Sequence, residues 1–129
     1  MSTNPTERAQ WAWETIAAVY NKRSPTVEAR YGTLARKLPA LLHSAGLGQT
    51  MAFLFSKSKP ERGESETGDA LLLHHLAARL RTVLNLTLRD DMDLVVKLKP
   101  AQYRRATEEL RAAAQWLKRF AEGRLAEEK

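Results

Sequence analysis

The sequence contains no cysteine. Disulfides, thiolate zinc sites, iron–sulfur clusters and cysteine nucleophiles are thereby excluded by inventory. A cysteine-free chain also suits a reducing compartment. No stretch approaches the ~20 apolar residues that a helical membrane span requires. The first residues, MSTNPTERAQ, lack the basic start and apolar run of a signal peptide. A cytoplasmic protein with no membrane partner is expected. There is no internal repeat, no low-complexity tract and no dense basic tail. What is present is a mixed-charge chain of 129 residues, long enough for one domain with its own core. Lys and Arg number 21 against 15 Asp and Glu, a net charge of +6. That balance favours an acidic partner, of which nucleic acid is the commonest.

Helix signals recur along the whole chain. Asn4 is a capping residue, Pro5 suits the first helical position, and Glu7 completes a capping box. Ala9, Ala12, Trp13, Ile16, Val19 and Tyr20 recur at three and four residues and predict one buried face. Ser24-Pro25 repeats the start signal. Pro39 predicts a break or kink, because it donates no hydrogen bond and crowds the preceding turn. Ala45-Gly46 reads as a helix end, followed by a short buried helix over 47–56. KSKPERGESETG, residues 57–68, reads as a flexible loop. Asp69 then caps a helix with Leu72, Leu73, Leu76, Leu80, Val83 and Leu84 inward. Residues 89–99 predict a short helix, since a lone DLVVKL strand has no partner. Pro100 starts a last helix to about Gly123, with Tyr103, Ala106, Leu110, Ala113, Leu117 and Ala121 as its inner stripe. The expectation is an all-α, single-domain irregular bundle of about six helices spanning 1–129.

Catalytic and cofactor signatures are missing. His74 and His75 are adjacent, and helix neighbours point about 100° apart, so they cannot share a metal as an i, i+4 pair can; both read as surface histidines. His43 reads as a packing or capping residue. Asp90, Asp91 and Asp93 lack the ligand count and central glycine of a calcium loop and read as helix caps. Gly46-Leu47-Gly48 is too short for a phosphate loop. As a turn before a DNA-reading helix it also fails, because the TMAFLF that follows is apolar. No enzyme, cofactor or metal site is expected.

Basic residues fall into two sets. Arg104, Arg111 and Lys118 are spaced by seven, nearly two turns, and predict one exposed ridge flanked by Arg105 and Arg119. Glu108 and Glu122 stand four residues after Arg104 and Lys118. The ridge is thus either a salt-bridged solvated face or a set of phosphate contacts. Lys57, Lys59 and Arg62 lie where the short buried helix enters the loop, and Lys22 and Arg23 form a similar cluster in the first connection. These too are either loop solubility or phosphate contacts, with Glu61, Glu64 and Glu66 diluting their charge. Trp11 lies off the predicted stripe of its helix. It marks a protein-contact surface unless another segment covers it.

Two segments together resemble a known family. They are YGTLARKLPALLHSAGLGQTMAFLFSK, residues 31–57, and YRRATEELRAAAQWLKRFAEG, residues 103–123. The tyrosine ahead of Lys37-Leu38-Pro39, Gly46-Leu47 leading to Phe53, Lys57, and Trp116-Leu117-Lys118-Arg119-Phe120 resemble the small all-helical subunit, the fifth Cmr protein, of the type III-B CRISPR effector complex. The resemblance implies a non-catalytic role in prokaryotic antiviral defence, since RNA cleavage there is ascribed to the backbone subunits. It implies other Cmr subunits as partners, self-stacking in a minor filament, and weak, sequence-independent contact with a guide RNA–target RNA duplex. Such a duplex is read by backbone and shape. A helical protein-interaction adaptor without nucleic-acid contact is the alternative.

Overall fold

The computed structural model describes residues 5–60 and 65–129. Five helices are present among them: α1 Pro5–Asn21, α2 Pro25–Ser56, α3 Gly68–Leu84, α4 Asp91–Val96 and α5 Pro100–Arg124. There are no strands among the described residues. Prolines open α1, α2 and α5, where the missing N–H costs nothing. The expected Asn4 cap lies outside the described residues.

α2 is where expectation and structure part most. Pro39 does not end it. Leu34, Ala35, Leu38 and Leu42, on both sides of the proline, are all buried, and this packing outweighs one lost backbone bond. The bend lies at Gly46 instead, with φ 83° and ψ 171°, a region essentially reserved for glycine. Helix resumes at once, burying Leu47, Thr50, Met51 and Leu54. Counted by straight segments the bundle has six, close to the number expected. The bend brings the far end of α2, at Lys57, to the same groove as its own start at Thr26 and Val27.

α3 is capped by Thr67, not Asp69: the Thr67 hydroxyl accepts from the Ala70 amide at 3.0 Å. Asp69 is drawn inward to receive Arg30 through two hydrogen bonds of 3.0 Å. Asp90 caps α4 as expected, its Oδ1 accepting from the Asp93 amide at 2.8 Å. α5 buries Ala106, Leu110, Ala113, Leu117 and Ala121. Tyr103 leaves the expected stripe and is exposed; its hydroxyl accepts from the Gly48 amide at 2.8 Å, tying the start of α5 to the restart of α2.

α2 packs chiefly on α5 and α3, and α1 packs on α5. Tyr31, Ile16, Leu72, Leu76 and Leu80 are among the fully buried side chains at the centre. After α5 the chain turns back over α2. Leu125 is buried, and its carbonyl accepts from Arg36 at 3.0 Å. The Ala126 carbonyl oxygen lies only 2.0 Å from where a Cβ on Gly32 would stand. That close approach is what requires glycine at position 32. Among the described residues no helix is long and apolar enough to cross a membrane.

Candidate nucleic-acid interface

The seven-residue spacing on α5 does what it predicts. Arg104 and Arg111 are exposed and Lys118 is half-buried, on the side of the helix away from Ala106, Leu110 and Leu117. The local salt bridges that would silence this ridge do not form. Among the described residues neither Arg104 nor Lys118 pairs with a carboxylate, and Glu122 is taken by Arg119 at 3.2 Å. Arg111 instead reaches the His43 ring, Nη2 to Nδ1, at 3.4 Å. His43 itself is exposed, so it does not fill the core. The ridge therefore presents cations to solvent without local neutralisation.

Lys22, Lys57 and Lys59 converge on a different place. Lys57 and Lys59 line a groove with Arg30, Glu66, Asp69 and Glu128. Lys22 reaches the same groove by pairing with Glu66 at 2.9 Å. Four cations thus face three anions along its walls, and one of them, Arg30, is locked to Asp69 and Glu128. The hydrogen bonds that Arg30 donates to the Asp69 carboxylate raise the Arg30 pKa despite partial burial. The groove is close to neutral, and the α5 ridge is the more electropositive surface. Arg23 turns away from the groove towards Tyr20, Pro25 and Glu28. Arg62 lies outside the described residues.

A buried charge network crosses the bundle elsewhere. Arg79 on α3 is 2% exposed and Glu109 on α5 is 4% exposed. The Arg79 Nε donates to Glu109 at 2.9 Å, and its Nη1 donates to both Glu7 oxygens on α1 at 2.8 and 3.0 Å. Arg8 closes the set with two 3.1 Å hydrogen bonds to Glu109. Burial alone would raise the Glu109 pKa, but the hydrogen bonds from Arg8 and Arg79 hold it below the ordinary carboxylate value. Nothing in the sequence marks this network, because its bonded partners are 30 to 101 residues apart.

The two histidines separate. His74 is exposed and sits 3.2 Å from Asp91, which also takes Arg81 at 2.8 Å. His75 is not a surface histidine: it is half-buried, with Nδ1 2.8 Å from the hydroxyl of the buried Tyr31. α3 is covered on this side by α2, which a single-helix pattern cannot reveal. Among the described residues no group of three or more His, Asp or Glu side chains is placed to hold a metal ion.

The wheel also misplaces the tryptophans of α1. Its buried line runs through Ala12, Thr15, Ile16 and Val19, leaving Trp11 and Trp13 on opposite flanks. Trp13 and Tyr20, expected in the buried stripe, lie on its exposed flank. Trp11 is in fact half-buried against the core, with the Arg79 guanidinium 5.3 Å from its ring centroid. Trp13 is the exposed one, at 48%. Trp11→Ala should therefore destabilise the fold by about 2–4 kcal/mol through lost burial and loss of the wall beside Arg79. Urea unfolding of the variant checks this, and a loss under ~0.5 kcal/mol would restore Trp11 as a free surface residue.

Comparisons agree with this architecture. A family model described as CRISPR-associated protein (Cas_Cmr5) matches residues 4–124. A curated relative, the CRISPR system Cmr subunit Cmr5 of Thermus thermophilus, is 32% identical over 120 residues, covering 91% of this chain and 94% of the relative. The crystal structure of a CRISPR-associated Cmr5 family protein from Thermus thermophilus superposes with a TM-score of 0.66 at 32% identity, over 96% of this chain and 98% of that one. Family model, relative and crystal structure each match over most of the length: the chain belongs to the Cmr5 family of CRISPR-associated proteins.

Proposed function

We propose that this chain is a non-catalytic structural subunit of a CRISPR Cmr effector complex, held in the cytoplasm among other Cmr subunits. It stacks with copies of itself in a minor filament and uses the α5 ridge to help line the channel for guide and target RNA. The observation that carries the RNA part is the absence of carboxylate partners for Arg104, Arg111 and Lys118 among the described residues, on a chain of net charge +6. Exposed cations with no local partner attract phosphates without reading bases, which suits a channel that must accept any guide. Lys57 and Lys59, lining a near-neutral groove, add less, and so does Lys22, whereas Arg23 faces a separate cleft beside Tyr20. Protein contacts fix the subunit's place, and the ridge adds local attraction.

The test is salt-dependent RNA binding. The parent chain should bind RNA weakly, regardless of sequence, with affinity falling steeply as salt rises. Replacing Arg104, Arg111 and Lys118 together by alanine should lower the slope of log K against log[salt] by roughly one unit for each phosphate no longer held. A Lys57/Lys59 double variant should change it by less than the ridge variant. An unchanged slope in the ridge variant would leave the adaptor reading, in which these cations only solvate the fold.

A further inference from the structure

An exposed aromatic surface lies where α1 meets α5, and it alternates ring and cation. Phe120 and Trp116, both packed on the core, form its base with centroids 5.7 Å apart. Trp13 stands edge-on to Phe120 at 5.2 Å and an interplanar angle of 79°. The Arg124 guanidinium lies between the next two rings, 5.4 Å from the Trp13 centroid and 4.9 Å from that of Tyr20. Arg23 follows on Tyr20 at 6.0 Å. Trp13 and Tyr20 nevertheless remain 48% and 37% exposed.

We propose that the Trp13–Arg124–Tyr20–Arg23 ladder is a stacking site for unpaired RNA nucleotides, distinct from the phosphate ridge of α5. The proposal rests on the RNA reading given above and names a second contact surface for it. Three features favour this occupant. First, the ladder is cationic: among the described residues neither Arg23 nor Arg124 pairs with a carboxylate. The acid beside it, Glu28, is already accepting from the Ala126 amide at 2.8 Å. An apolar protein neighbour would strip water from two guanidinium groups without replacing it, which is costly. A single strand brings phosphates and ring faces together, as aromatic and arginine platforms require. Second, the rings are held in place. Trp13 leans on Phe120, which is anchored in the core, so little side-chain freedom is lost on stacking. Third, Arg23 adopts a left-handed backbone, φ 57°, unusual for a residue with a side chain. This conformation turns it from the groove beside Lys22 to the open cleft that it lines with Tyr20, Pro25 and Glu28. Paired bases hide their faces inside a duplex, so the ladder selects unpaired nucleotides.

The experiment titrates the full chain with three end-labelled probes: single-stranded oligoadenylate of about ten nucleotides, an abasic ribose-phosphate strand of equal length, and a blunt RNA duplex. Trp13→Ala should weaken oligoadenylate binding roughly five- to hundredfold with an unchanged salt slope, and leave the abasic strand unaffected. Trp13→Phe should retain most of the affinity. Tyr20→Ala is a second ring variant should Trp13→Ala fold poorly, and it should show the same pattern. Arg124→Ala should weaken both single strands and lower the slope by about one unit. Oligoadenylate binding unchanged in both alanine ring variants would overturn the proposal, while the ridge variant still tests the broader reading. So would ring variants that bind RNA like the parent but fail to enter a reconstituted complex, for then the ladder is a protein contact. A parent chain that binds none of the probes would overturn both readings together.

Discussion

Glu109→Ala should cost about 3–5 kcal/mol of folding stability, because it leaves a buried arginine without its buried anion. Arg79 has no route to water at 2% exposure. Among the described residues its Nη2 has no hydrogen-bond acceptor, and its guanidinium carbon lies over the Trp11 ring. With Glu109 gone, Nε loses its partner as well, and Glu7, nearly half exposed, is the acid left to offset the charge. Against a total stability of about 5–15 kcal/mol this is a large fraction. Glu109→Gln should fall between parent and alanine, since the amide oxygen still accepts one bond but carries no charge. A double variant, Arg79→Met with Glu109→Leu, should recover most of the loss, because apolar groups of similar volume remove both desolvation penalties. Urea unfolding followed by far-ultraviolet circular dichroism measures all three. A Glu109→Ala loss below ~1 kcal/mol, or a double variant no better than the single, would show that the network is solvated and contributes little. The three helices it joins form the side of the bundle beneath Trp11, so the same variants report whether α1 stays docked.

Element starts and the inner stripe of α5 are legible from sequence because they depend on local chemistry. Proline at a first turn, Asp90 ahead of α4 and glycine at the bend of α2 each act within a few residues. The misjudged positions share a different cause: the deciding partner is far along the chain. Asp69 does not cap α3 because Arg30, 39 residues earlier, claims its carboxylate. Pro39 is tolerated because its helix is packed along both α3 and α5. A helical wheel gives one buried direction, and a flank residue about 100° away becomes buried only if a second helix covers it. Arg79 does this for Trp11, whereas on the other side of α1 the nearest cover, Phe120, leaves half of Trp13 open. The ridge was readable as a spacing of seven. That Lys57 and Lys59 face Glu66, Asp69 and Glu128 was not, since the groove exists only after α2 has bent at Gly46.

Acidification should destabilise the fold through a second titratable group, the half-buried His75. Burial pushes the His75 pKa down from 6.5 to about 4, and the nearby charges of His74 and Lys22 add to this while Glu66 opposes it. The Tyr31 hydroxyl, itself raised in pKa by complete burial, is 2.8 Å from Nδ1, and the neutral ring accepts from it in the tautomer that carries its proton on Nε2. A protonated imidazole carries hydrogens on both nitrogens, so that acceptor is lost as the charge appears. The folded state binds its proton less readily than the unfolded chain. Stability is therefore intact above pH 6.5, declines as the unfolded state takes up protons, and stops falling on this account once pH has passed below about 4. The total loss is about 3 kcal/mol. Glu109, held below its ordinary value, acts in the same direction but in a more acidic window, below 4.5. His75→Asn separates the two. Its side-chain oxygen still accepts from Tyr31 but does not titrate, so the variant should lose about 1 kcal/mol at neutral pH and then keep a nearly flat stability from pH 6.5 to about 4. Unfolding free energies measured in urea across that range decide the matter. If the variant declines in parallel with the parent, the acid sensitivity arises elsewhere. A histidine resonance of His75 titrating near 6.5 in the folded protein would refute the burial argument directly.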